Sequence, residues 1–262
     1  MFLYILNAVP FWVISCAIIG LVVGFSLLSY WSIEYFFPKL SKDMAGNLLI
    51  SSLIQIIAIF YSILLGFIII MHWEDFNKAK KNVDIEASAF ANILRDSYVF
   101  PPEIKQKINA AIGNYVLTVR NDEWDKLRMA QSSELTASAI IRVFDVIQSY
   151  EPQSNKEKIF YSEIVDQLDQ GLDSRRSRLA SAKNTLPVSA VVMLIIGCLM
   201  ITLLTSSLGS VKNKTYHAIV NGSLGGFLAF CLTLIIEFTH PFAGTLTIDA
   251  APFSQGILAQ FH

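Results

Sequence analysis

Four stretches of the chain contain no Asp, Glu, Lys or Arg: residues 1–33, 44–73, 184–211 and 215–236. Crossing a hydrocarbon core takes about 20 apolar residues, and trimming the polar ends of these runs predicts spans at 10–33, 47–72, 186–208 and 216–236. The first run has no basic segment before it and no small-residue cleavage site, so it reads as a mature helix rather than a signal peptide. Between the second and third runs, apolar residues recur at three and four, the period of amphipathic helices. Val83, Ala87, Phe90 and Leu94 carry the second span onward without a breaker, so it should continue as one helix to about residue 100, before Pro101 and Pro102. Ile104, Ile108, Ile112, Tyr115 and Val119 form the next face, and Leu135, Ala139, Val143 and Ile147 a third. Ser154 and Glu157 fit a capping box, and Phe160, Ile164, Leu168, Leu172 and Leu179 then line a helix running toward span three. Pro187 either starts that span or kinks a continuous helix. The pattern predicts an all-α multipass membrane protein: four transmembrane helices, with a helical domain inserted between helices two and three.

Composition sharpens this. Of 262 residues, 53% are hydrophobic and 16% charged, against about 45–50% and 25% in soluble domains. Of the 41 charges, 33 lie between Glu74 and Lys183, which leaves eight for the other 152 residues. The net charge of -1 offers no basic surface for nucleic acid. The insert is flanked by Lys78, Lys80, Lys81, Arg175, Arg176, Arg178 and Lys183, whereas the two other connections carry only Lys39 with Lys42 and Lys212 with Lys214. By the positive-inside rule the insert and both termini of this multipass protein of the cell membrane should be cytoplasmic. The expected organisation is a transmembrane hairpin at 1–73, the helical cytoplasmic domain at 74–183, a second hairpin at 184–236 and a cytoplasmic segment at 237–262.

Candidate chemistry is sparse. There is no nucleotide loop, zinc spacing or nucleophile elbow, so neither an enzyme nor a cofactor or metal is expected. His72, His217, His240 and His262 are scattered, Asp122, Glu123 and Asp125 read as a solvated loop, and Cys16, Cys198 and Cys231 read as small packing residues. Span two is more informative. Ser52, Gln55, Ile59, Ser62 and Gly66 recur at three and four on one helix face, and polar groups in a membrane usually turn toward protein or water. Beside them, Ile56, Phe60 and Leu64 stack at intervals of four, a row able to form a dewetting constriction. Both rows are open to two readings, helix packing or pore lining. Gly20 with Gly24, and Gly222 with Gly226, follow the small-xxx-small pattern of close helix packing. After span four, Pro241, Phe242 and Phe253 are too apolar to leave in water, and they are expected to pack where span two leaves the membrane, near His72, Trp73 and Phe76, in the same subunit or in its neighbour.

Several residue groups recur in an order and spacing that resembles the bestrophin-like membrane proteins of bacteria and plants. They are Leu65, Gly66, Phe67, Trp73, Phe76, Ala79, Val83, Glu86 and Ala87, then Leu94, Arg95 and Asp96, then Glu123 and Trp124. Arg175, Arg176, Arg178, Leu179, Leu186 and Pro187 follow, and finally Pro241, Phe242, Gly244, Pro252 and Phe253. The resemblance implies kinship with bestrophins, pentameric anion channels with four spans per subunit and a helical cytosolic domain. It implies a homo-oligomer in the lipid bilayer, a pentamer by first choice, passing anions. A hydrophobic neck on span two would fall at Ile56, Phe60 and Leu64. Two other classes compete. A stator-like energiser shares the two-plus-two layout, but generally needs intramembrane carboxylates, which the predicted spans lack. A non-transporting scaffold or sensor would act through its cytoplasmic helices.

Overall fold

The computed structural model describes residues 2–36, 44–208 and 214–261. Every regular element among them is helical. In chain order these are α1 (Phe2–Ala8), α2 (Phe11–Phe36), α3 (Met44–Asp96), α4 (Pro102–Thr118), α5 (Trp124–Leu127), α6 (Glu134–Gln148), α7 (Asn155–Lys183), α8 (Val188–Ser207) and α9 (Lys214–Thr239). A π-helical turn at Val119–Glu123 joins α4 to α5, and short 3-10 turns occupy Ser97–Val99, Ala251–Ser254 and Gly256–Gln260.

Four helices are long and apolar enough to cross a membrane: α2, α3, α8 and α9. α3 is unbroken for 53 residues, far beyond its apolar part, as its uninterrupted heptad-like spacing requires. Pro187 starts α8 rather than kinking a continuous helix. Its ring disfavours α geometry in the residue before it and removes a donor, so α7 stops at Lys183 and α8 begins afresh at Val188. Two helices outrun their predicted ends. α2 takes in Glu34 and α9 takes in Glu237, so the helices are not free of carboxylates at their ends. Lys39, Lys42 and Lys212, which enter the orientation argument, lie outside the described residues.

The chain forms two compact units: Met1–Asn7 with Asp75–Asn184 and His240–His262, and Ala8–Glu74 with Thr185–Thr239. The first, the helical unit, buries one core drawn from α3 through α7 and from the segment after α9. Phe90, Ile93, Ile108, Ile112, Tyr115, Ile164 and Leu168 are almost wholly enclosed. Leu135, expected on the inner face of α6, is exposed, while Ala139, Ile140, Val143 and Ile147 carry that face. The N-terminal residues, expected to belong to the first hairpin, join this unit instead. The Asn7 side chain donates to the Arg128 carbonyl (2.9 Å) and accepts from the Gly244 N–H (3.1 Å). Gly244 adopts φ +86°, a conformation glycine takes without steric cost.

The start of α7 is a capping box with one variation. Ser154 Oγ accepts from Glu157 N–H (3.2 Å), but the Glu157 carboxylate reaches back to Gln153 N–H (2.8 Å) and also accepts from the Tyr150 phenol (2.7 Å). The bond from Tyr150, with those from the backbone, holds the Glu157 carboxyl below its ordinary pKa, and the same bond pushes Tyr150 up to about 12. A depressed carboxyl stabilises the fold above its unfolded pKa and loses that contribution as pH falls through the folded value. Hydrogen-exchange protection of residues 155–158 is therefore expected to fall on acidification below about pH 4. The Glu157→Gln protein should show no such step; equal pH profiles in the two proteins would remove this account.

The second unit packs α2 along α8 and α9 and adds the apolar part of α3 along one edge. Small polar residues stitch the three-helix block. Ser26 Oγ donates to the Asn221 carbonyl (3.3 Å), Asn221 Nδ2 to Ser206 Oγ (3.0 Å), and Ser206 Oγ to the Ser26 carbonyl (3.2 Å). Such bonds contribute about 0.6 kcal/mol each in a membrane, but they are directional, which aliphatic contacts are not.

Candidate functional site

In the spanning unit, α3 buries Tyr61, Leu65 and Ile68 against Leu194, Cys198 and Ile201 of α8 and Leu228, Cys231 and Ile235 of α9, with Ile57 and Leu64 at the edge. The rest of its circumference is uncovered within the protomer. Ser52, Gln55, Ile56, Ile59, Phe60 and Ser62 are exposed, and Gly66 is half-buried with open space around it. Leu64 does not continue the row of Ile56 and Phe60 outward. A side chain every fourth residue drifts round a helix of 3.6 residues per turn, and by Leu64 the row has turned into the protomer's own core. Ile63, Phe67 and Ile70 are instead exposed. Each stands two positions beyond Tyr61, Leu65 or Ile68, hence on the opposite side of the helix, and Ile59 stands likewise to Ile57. The sequence pattern alone missed this row, because nothing in it said which face of α3 was buried.

The polar row divides on inspection. Ser52 Oγ and Ser62 Oγ donate to carbonyls of their own helix, Leu48 (3.0 Å) and Ile59 (2.8 Å), so neither needs an outside partner. Gln55 is exposed, and among the described residues its amide has none. The glycines also divide. Gly222 and Gly226 lie against Val23 and Ile19 of α2. A Cβ on Gly20 or Gly24 would meet nothing within 4 Å; both are off the face of α2 that carries Ile19, Val22, Val23 and Ser26, so they make no close helix contact in the protomer.

In the helical unit, the structure gathers many of the residues that carried the family resemblance into one buried charge network. Arg178 is 0% exposed. Its Nε and Nη2 donate to the two oxygens of Glu86 (2.7 and 2.9 Å), and Nη2 also donates to Glu123 (2.7 Å). Arg175 holds the other side of Glu123 (2.5 Å), and the Tyr115 phenol donates to Glu86 (2.5 Å). Two carboxylates thus face two guanidinium groups. Burial opposes the Arg178 charge, but Glu86 and Glu123 more than offset it, so its pKa rises above the ordinary arginine value. Burial, followed by the Glu86 charge, pushes the Tyr115 phenol well up. Arg178 Nη1 has no hydrogen-bond partner among the described residues; the guanidinium lies 5.1 Å from the Trp124 ring centroid, within cation–π range.

Trp124 links this network to the segment after α9. Phe242 and Phe253 approach its ring edge-on, with centroids at 5.8 and 6.1 Å, and its Nε1 donates to the Ile248 carbonyl (3.2 Å). Pro241 is buried beside them and accepts from Ile248 N–H (2.9 Å), which closes the loop. The partner of these aromatics is therefore Trp124, with Phe76 at the margin of the same core. The acidic triplet is not a solvated loop either. Asp122 bonds Lys126 (2.8 Å) and Ser133, which with burial opposing leaves its pKa lowered, Glu123 is the buried member of the network, and Asp125 alone is exposed.

Comparison with known proteins points one way. A model of the bestrophin-like domain matches residues 20–253. Among curated proteins there is no match. A crystal structure of a single-substitution variant of a bacterial bestrophin homologue from Klebsiella pneumoniae superposes with a TM-score of 0.68 at 16% identity, over 90% of this chain and 93% of that one. The structure of a bacterial bestrophin homologue from the same organism, phased on zinc, gives 0.66 at 17% identity over 88% and 90%. A further membrane protein variant gives 0.67 at 15% identity over 92% and 93%. With four helices apt to cross a membrane and a family match over most of its length, the chain belongs to the bestrophin-like family of multipass membrane proteins.

Proposed function

We propose that the protein is a homo-oligomeric ion channel in which the apolar part of α3 lines the pore and the helical unit lies on the cytoplasmic side. The observation that carries this is Gln55, exposed within a stretch apolar enough to cross a membrane and without a partner among the described residues of its own protomer. A lipid-facing amide is costly, so it turns toward water or another copy. Family membership supports ion conduction, and the resemblance to bestrophins is the ground for anions and for a pentamer. The narrowest apolar ring falls at Ile59, Ile63 and Phe67, with Ile56 and Phe60 beside it and Leu64 turned away. Orientation rests on the basic residues that flank the helical unit. Arg175 and Arg178 are committed to its core, which leaves Lys78, Lys80, Lys81, Arg176 and Lys183 as its exposed positive flank.

The test is flux of halide and of sodium through purified protein in phosphatidylethanolamine–phosphatidylglycerol liposomes, with mass measurement in native detergent. Halide flux is expected, with Ile63→Ser raising it several-fold because a hydroxyl wets a hydrophobic gate, and Leu64→Ser leaving it near the parent value. A monomer, or a folded oligomer passing neither ion, would end the channel reading.

A further inference from the structure

We infer that Tyr61, seated on Gly197 of α8, is a positioning residue that sets the rotation of α3 about its own axis. This rests on the reading that α3 lines the pore. Most contacts of α3 with the rest of its unit are aliphatic: Ile57, Leu64, Leu65 and Ile68 meet side chains such as Leu194, Ile201, Leu228 and Ile235. Apolar contacts of this kind are non-directional, and they permit a helix to turn with little change in buried area. Tyr61 differs in two respects. Its hydroxyl donates to the main-chain carbonyl of Leu194 at 2.8 Å, from the apolar part of α3 to α8. The Cδ2–Cε2 edge of its ring lies against Gly197, where a Cβ would overlap those two carbons, so the slot exists only because residue 197 has no side chain. The ring is nearly enclosed. A directional bond and a shape-matched slot, both on one residue, fix angle where the aliphatic contacts do not.

The angle matters because α3 carries two surfaces one residue apart. Gln55, Ser62 and Gly66 each immediately precede Ile56, Ile63 and Phe67. Neighbouring residues on a helix are about 100° apart, so a turn of up to that angle carries a hydroxyl, an amide and a glycine toward where the large apolar groups stood. Tyr61 holds the apolar surface outermost, opposite its own seat.

The test is site-directed spin labelling of the full chain in nanodiscs, with Ser62→Cys or Ile63→Cys in a Cys16→Ser background; the two other cysteines are buried. Access of each label to a water-soluble relaxant and to dissolved oxygen is measured with Tyr61 intact, with Tyr61→Phe and with Gly197→Ala. The ratio of access at 62 to access at 63 is expected to rise in both variants, with oligomer mass unchanged and liposome flux raised several-fold. Tyr61→Phe keeps the ring and its packing, so it decides the matter if Gly197→Ala does not fold. An unchanged ratio in Tyr61→Phe overturns the inference, as does a change in flux without a change in ratio. If the water-soluble relaxant reaches neither label in the parent, the pore reading fails, and the oxygen ratio still decides whether Tyr61 sets the rotation.

Discussion

Replacing Arg178 by methionine is expected to remove about 3–5 kcal/mol from the stability of the helical unit, the cost of breaking a buried ion pair from one side. Its guanidinium is the only bridge in the network between Glu86 and Glu123, and it is entirely enclosed. Without it Glu86 retains the Tyr115 hydroxyl and no cation in the network, while Glu123 keeps Arg175. Whole domains are stable by about 5–15 kcal/mol, so the loss should appear as a lower melting temperature of the purified protein and a lower yield. Arg178→Lys should recover only part of it, because one ammonium cannot reproduce a planar fork that reaches two carboxylates. Arg178→Met paired with Glu86→Gln should do better than Arg178→Met alone, since it withdraws the stranded charge. A shift within the ±0.5 kcal/mol usual for surface substitutions would show that the network is not a stabilising core.

Truncating Phe253 to alanine should cost about 3–5 kcal/mol, the usual price of emptying an aromatic site, and release the segment after α9 to proteases. Phe253 is 0% exposed, and with Phe242 it frames the Trp124 edge. Part of the effect belongs to ring geometry rather than area. In a cycle of Phe242→Ala and Trp124→Ala, the coupling should reach about 0.5–1.5 kcal/mol, as for edge-to-face pairs. Thermal melts with limited proteolysis at residues 240–261 measure both quantities. Additive losses in the cycle, or a resistant segment in the Phe253→Ala protein, would mean that the segment is held elsewhere.

These two sites illustrate what could be read from the chain in advance. Glu86, Glu123, Trp124, Arg175, Arg178, Phe242 and Phe253 were all visible as parts of a family pattern, yet nothing in their spacing paired them. Tyr115 was visible only as one more apolar position on α4. Within α3, the sequence marked a polar row and an apolar row, and the structure kept Gln55, Ile56, Ile59 and Phe60 on the open side while turning Leu64 inward and Ile63 and Phe67 outward.

The sequence by itself determined the four apolar helices, the unbroken run of α3 through 53 residues, a disturbance of the helix at Pro187, and most of the inner faces of α4, α6 and α7. These are one-dimensional properties: charge-free length, a period of 3.6, and the local sterics of proline and capping residues. Only the tertiary structure decided that Arg178 meets Glu86 across 92 positions and Arg175 meets Glu123 across 52. It also decided that Asn7 belongs with Gly244, that Gly222 and Gly226 but not Gly20 and Gly24 lie at a helix seam, and that Tyr61 finds Gly197. Periodicity says that a face will be buried. Which distant segment buries it, and hence which face is left open, depends on how helices far apart in the chain meet in space.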